Sequence, residues 1–130
     1  MKISVKAELS QGFKAEAQVR THRIVADLTP DKGGGDAGPT PPELLLASLA
    51  ACSAIYAKMF AQREGLSGSI LVEAEAEMPD PPTHLEKFQV RVTIPGLSPD
   101  QREKAKAFVE QCLVGRTLRL AQEVECIIQG

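Results

Sequence analysis

The strongest constraint on this chain is a long apolar run near its middle. From Leu44 to Phe60 the sequence reads LLLASLAACSAIYAKMF, broken only by Ser48, Ser53 and Lys58. Its boundaries are marked. Thr40 suits an N-cap, Pro41 the first helical position, and Glu43, three residues after Thr40, completes a capping box. Gly65 is a natural C-terminal stop. The spacing predicts one helix from Pro41 to the neighbourhood of Gly65. A helix that is apolar on nearly every face has to be buried. A chain of 130 residues has few elements with which to surround it. Either a sheet covers one side and a second subunit the other, or part of the helix stays exposed. The run is too short and too interrupted to be expected as a membrane span.

The flanks have strand periodicity. Residues 2–9 place Ile3, Val5, Ala7 and Leu9 on one side, and residues 13–19 repeat the pattern after a turn at Ser10-Gln11-Gly12. Residues 23–28 make a third short strand. Residues 29–42 hold four Gly and four Pro and form a loop, either a functional one or a flexible connector. Beyond the helix, residues 68–78 and 86–95 alternate as a hairpin around the loop PDPPTH. Ser98, Pro99 and Gln101 open a second helix reaching about Leu113. Residues 116–121 suit a short helical turn, and Val124 to Ile128 a last strand. The order β-β-β-α-β-β-α-β, mixed without strict alternation, is α+β, in a single domain over residues 1–130.

The net charge of -2 and pI of about 5.7 offer no basic footprint, so neither nucleic acid nor an anionic membrane is expected as a partner. The N-terminus, MKISVKAELS, has no apolar signal region, so a soluble cytoplasmic protein is expected. Only His22 and His84 are available as imidazole ligands, and there is no CxxC, so no metal and no cofactor are expected.

Three cysteines remain: Cys52, Cys112 and Cys126. An odd number argues against a structural disulfide framework. Cys52 lies well inside the long helix, where a small core hydrophobe is the commonest fate of a free cysteine. Reactivity would require a thiolate. The helix dipole acts only within the first turn, so it cannot supply one about twelve residues in. A nearby cation would have to, and Arg20, Arg23, Lys32 and Arg116 are the candidates. Cys112 ends the second helix on its apolar face, with Phe108 and Ala105. It gains chemical interest only near Cys52, because a second thiol can resolve a sulfenic acid into a disulfide. Cys126, beside Val124 and Ile127, is expected to pack.

Glu43 needs no function beyond the N3 position of the capping box. A catalytic role meets a geometric obstacle. Nine helical residues separate it from Cys52, roughly 13.5 Å along the axis and about 180° around it. Glu43 could serve a Cys52 site only from another subunit.

The stretch DKGGGDAGPTPPELLLASLAAC resembles the signature of the OsmC/Ohr family: a Gly-rich loop, a Pro-Glu-Leu opening, then a small-residue helix ending on Cys. CLVGRTL resembles the family's second segment, a Cys followed by a short turn and Leu. Together the features extend over nearly the whole chain. The resemblance implies an intertwined homodimer with two active sites at its interface, and a thiol-dependent peroxidase acting on organic hydroperoxides. In that scheme Cys52 attacks the peroxide and becomes a sulfenic acid, Cys112 condenses with it to a disulfide, and an external dithiol reduces the product. Glu43 is the third catalytic residue it implies. The competing reading, from a different class, is a non-enzymatic dimer holding a small hydrophobic ligand in an apolar interface cleft. A mass spectrum of the peroxide-treated protein separates the two.

Overall fold

Strand pairing in the first part of the chain follows the alternation of its side chains. A computed structural model describes residues 1–130, except for the side chain of Ser10. Strands β1 (Lys6–Gln11), β2 (Lys14–Val19) and β3 (His22–Ala26) form an antiparallel sheet in the order β1-β2-β3. The first turn needs a left-handed residue and Gly12 supplies it, at φ 52°. In the second turn Arg20 takes the same region at φ 53° despite its side chain. Helix α1 (Pro41–Arg63) follows. Strands β4 (Leu71–Glu77) and β5 (Glu86–Thr93) pair antiparallel, and helices α2 (Pro99–Val109) and α3 (Leu113–Arg119) complete the order. The class is α+β, with two small antiparallel sheets and three helices.

The chain divides into two compact units, Met1–Leu46 and Ala47–Gly130. In the first, the Gly/Pro-rich segment is not structureless. A single 3-10 turn spans Pro30–Lys32. The Asp27 carboxylate, on a residue only 3 % exposed, gathers the segment that follows. Its Oδ1 accepts the Leu28 amide at 2.7 Å, and its Oδ2 accepts the amides of Gly35 at 3.2 Å and Ala37 at 3.1 Å. Two glycines let the backbone close in. A Cβ on Gly34 would sit 2.0 Å from the Leu28 carbonyl oxygen, and one on Gly38 2.3 Å from that of Val25.

In the second unit the core gathers on one face of α1. Leu49, Ser53, Ala57, Phe60 and Ala61 are buried there, at the three- and four-residue spacing of a helix stripe. Ala57, Phe60 and Ala61 pack with Ile94, next to β5, and Ala105 of α2. The Phe108 ring meets Phe60 at 6.0 Å and Tyr56 at 5.9 Å, and carries the Arg63 guanidinium carbon 4.9 Å above its centroid. Helix α2 opens on the expected capping box, with Gln101 donating its backbone amide to Ser98 Oγ at 3.2 Å.

Helix α1 is buried along one stripe and part of it stays exposed in the protomer, one of the two outcomes expected: Ile55 is 56 % and Met59 46 % exposed. At 23 residues α1 is long and apolar enough, by length and composition, to cross a membrane, a test that the core helix of a soluble protein also passes. The end of α2, the last strand and Cys126 differ from expectation. Helix α2 stops at Val109 rather than near Leu113, and the chain then turns into α3 at Leu113. Residues 121–130 carry neither helix nor strand, so the expected last strand over Val124 to Ile128 is absent, and Cys126 is exposed rather than packed. Alternation alone makes no strand, because a strand exists by its ladder of hydrogen bonds to another.

Candidate functional site

The thiol of Cys112 is the most enclosed of the three. The residue is 2 % exposed and caps α3 rather than ending α2. Its Sγ accepts the Gly115 amide at 3.3 Å and lies 3.8 Å from Ser53 Oγ. Ser53 is equally buried, at 2 %. The fit is tight: a Cβ on Gly115 would come within 3.0 Å of the sulfur. The sequence offered one signal for Ser53, its place four residues after Leu49 on the buried stripe. Its use as the neighbour of Cys112 follows from packing across 59 residues.

Cys52 precedes Ser53 on α1, about 100° away around the helix. It is half-buried and stands beside the flank that presents Ile55 and Met59, its neighbours at three and seven residues' distance. Reading inward from that flank, α1 presents first Cys52, then Ser53 against Cys112.

Glu43 occupies the structural role foreseen for it. Its Oε1 accepts the Thr40 amide at 2.8 Å and the Thr40 hydroxyl at 2.9 Å, and its own amide reaches Thr40 Oγ1 at 3.4 Å. The bond from the Thr40 backbone, then that from its hydroxyl, holds the Glu43 carboxyl below its ordinary range. Helix α1 runs unbroken from Pro41 to Arg63, so the nine-residue rise between Glu43 and Cys52 stands.

Of the four cations considered for Cys52, Arg23 is engaged by the Glu16 carboxylate, which also lies 3.7 Å from Lys14 Nζ. Lys32 ends the 3-10 turn, and Arg116 is exposed in the last turn of α3. Among the described residues no three His, Cys, Asp or Glu side chains gather as a metal site.

Cys112 and Ser53 also line a cleft of about 540 Å³ in the second unit. Residues of α1, β5, α2 and α3 line it. Its walls come from four separate elements, so no local pattern could have announced it.

Known proteins share this architecture. An OsmC-like protein from Mycoplasma pneumoniae superposes with a TM-score of 0.77 at 23% identity, covering 92% of this chain and 88% of its own. An organic hydroperoxide resistance protein OsmC from Legionella pneumophila gives 0.63 at 20% identity, covering 92% and 90%. An organic hydroperoxide resistance protein from Elizabethkingia anophelis, bound to thiocyanate, gives 0.70 at 16% identity, covering 92% and 89%. At these identities the likeness is one of fold. No curated protein sequence matches the chain. The family model described as OsmC-like protein matches residues 33–127, from the Gly-rich segment through both helix cysteines. On that match, and on the fold it shares with these structures, this chain belongs to the OsmC-like protein family.

Proposed function

We propose that the protein is a thiol-dependent peroxidase that reduces organic hydroperoxides with two cysteines. The Cys52 thiolate attacks a peroxide oxygen. A sulfur–oxygen bond forms, the oxygen–oxygen bond breaks, and the alcohol leaves once protonated. Cys52 is then a sulfenic acid. The Cys112 sulfur attacks that of Cys52, water leaves, and a disulfide remains. An external dithiol reduces it, becoming a disulfide itself and restoring both thiols.

The observation that carries this reading is the approach of Cys112 Sγ to Ser53 Oγ at 3.8 Å, because Ser53 is the chain neighbour of Cys52. Two proteins of the same fold named for organic hydroperoxide resistance support the substrate class. In this reading both units form one family domain, and the working protein is a cytoplasmic homodimer. The exposed Ile55–Met59 flank is where a second subunit completes the burial of α1. Glu43 then acts at the Cys52 site of the other subunit, since helix geometry keeps it from its own.

The test is peptide mapping after one equivalent of cumene hydroperoxide under non-reducing conditions. A Cys52–Cys112 link is expected, absent in Cys52→Ser and in Cys112→Ser. If both thiols still alkylate fully in the treated wild type, the two-cysteine mechanism is wrong.

A further inference from the structure

Asp27 is the first residue after β3, and the segment before α1 ties back to it repeatedly. It is buried, and among the described residues it makes no salt bridge. Backbone amides satisfy its carboxylate instead: Leu28 on Oδ1, Gly35 and Ala37 on Oδ2. The Asp36 amide donates to the adjoining Leu28 carbonyl at 3.1 Å. Burying a carboxylate is unfavourable unless its lone pairs are met. What it adds over an apolar side chain is direction, because each oxygen fixes the amides that point at it.

From Asp27 to Glu43 the link is a single peptide unit. The Asp27 amide donates to the Pro39 carbonyl at 3.1 Å. At the other end of that peptide, the Thr40 amide donates to Glu43 Oε1 at 2.8 Å. A trans peptide is planar, with its C=O and N–H pointing in opposite directions. Any turn of the Pro39–Thr40 plane therefore turns the donor on which the Glu43 carboxylate rests. Gly38 lets this stretch lie close to β3, since a Cβ there would stand 2.3 Å from the Val25 carbonyl oxygen. All of these contacts lie within the first unit.

We propose that Asp27 is the positioning residue for Glu43. By clamping residues 35–39 to the end of β3, it sets the Pro39–Thr40 peptide and so the carboxylate that serves the Cys52 site of the other subunit. The inference rests on the peroxidase reading for what Glu43 does, and on these hydrogen bonds alone for how Glu43 is held. Asp27 acts through Glu43 and takes no part in the chemistry itself.

Asp27→Asn in the full-length protein tests this. A side-chain amide accepts through one oxygen only, so either Leu28 or the Gly35 and Ala37 pair loses its acceptor. Hydrogen exchange of the Thr40 amide, followed by NMR, is expected to be about tenfold faster in the variant, the scale of one weakened hydrogen bond to a charged group. Amides of β5 should exchange as in the wild type. Turnover of cumene hydroperoxide with dithiothreitol supplies a double-mutant cycle. Asp27→Asn is expected to lower kcat/KM several-fold in the wild type and to leave the residual turnover of Glu43→Gln unchanged. A merely structural residue would lower both by the same factor. Equal factors in the two backgrounds overturn the proposal, and so does unchanged Thr40 exchange. Faster Thr40 exchange in a protein whose wild type reduces no peroxide supports Asp27 as the residue that positions Glu43 and sinks the peroxidase reading instead. If Asp27→Asn does not fold, Gly35→Ala, whose Cβ would meet Asp27 Oδ2 at 3.4 Å, carries both readouts with the same expected signs.

Discussion

Cys112 and Ser53, 59 residues apart in sequence, meet with 3.8 Å between sulfur and hydroxyl oxygen, each only 2 % exposed. The sulfur has two roles at this point. It caps α3 by accepting the Gly115 amide, and it brings a second thiol beside the residue that follows Cys52. Substitution can separate the roles. Cys112→Ser keeps an acceptor at the cap, whereas Cys112→Ala removes it and should cost about 1 kcal/mol. Urea unfolding should therefore rank wild type and Cys112→Ser above Cys112→Ala, while neither variant forms the peroxide-induced disulfide. Equal stability of the serine and alanine variants would show that the cap contributes nothing.

Asp27 ties stability to pH. The Ala37 amide, then those of Leu28 and Gly35, stabilise its ionised form and hold its carboxyl below the ordinary value, against the opposing effect of burial. A carboxyl depressed in the folded state contributes stability that is fully present above its unfolded pKa and is lost as pH falls through the folded one. Wild-type stability should thus be flat near neutrality on this account and decline as pH drops below about 4. Asp27→Asn should be less stable at neutral pH and decline less steeply in acid. Urea midpoints measured across this range check the sign, and parallel curves would refute it.

Gly34 and Gly38 answer to backbone proximity. With a carbonyl oxygen 2.0 Å and 2.3 Å from where a Cβ would stand, Gly34→Ala forces the segment off the Leu28 backbone and Gly38→Ala forces it off Val25 of β3. Each should cost about 1–3 kcal/mol or more. Gly35→Ala, whose Cβ would meet Asp27 Oδ2 at 3.4 Å, should cost less. Thermal melts of the three variants give the ranking.

Glu43 can be separated into cap and catalyst. Glutamine serves at N3 of a capping box as glutamate does, so Glu43→Gln should melt close to the wild type. Thr40→Ala should lose about 1 kcal/mol. Under the proposed mechanism Glu43→Gln nevertheless loses peroxide turnover. If it melts and turns over like the wild type, Glu43 is a cap and nothing more.

The exposed flank of α1 bears on assembly. Ile55→Asp places a charge on a face that the proposed homodimer covers, and burying an unpaired charge is unfavourable. Sedimentation should show a shift from dimer toward monomer, with helical content retained because Ile55 lies outside the protomer's core. An unchanged sedimentation coefficient would remove this flank from the interface.

Much of this architecture could be read from local chemistry. The capping boxes at Thr40–Glu43 and Ser98–Gln101, the alternation in β1, β2, β4 and β5, and the Gly/Pro punctuation depend on residues a few positions apart. The two segments ending in Cys52 and beginning at Cys112 carried the family. Packing decided the rest. Alternation over Val124 to Ile128 looked like a strand, but no neighbouring strand pairs with it among the described residues. The apolar run 44–60 gave no sign of which face is buried, because every face qualified until β5 and α2 met one of them. The Asp27 clamp, the Ser53–Cys112 contact and the cleft join residues from 8 to 59 or more positions apart. Contacts at such range are fixed by how elements dock, and periodicity in a single element says which side is apolar but not what it will touch.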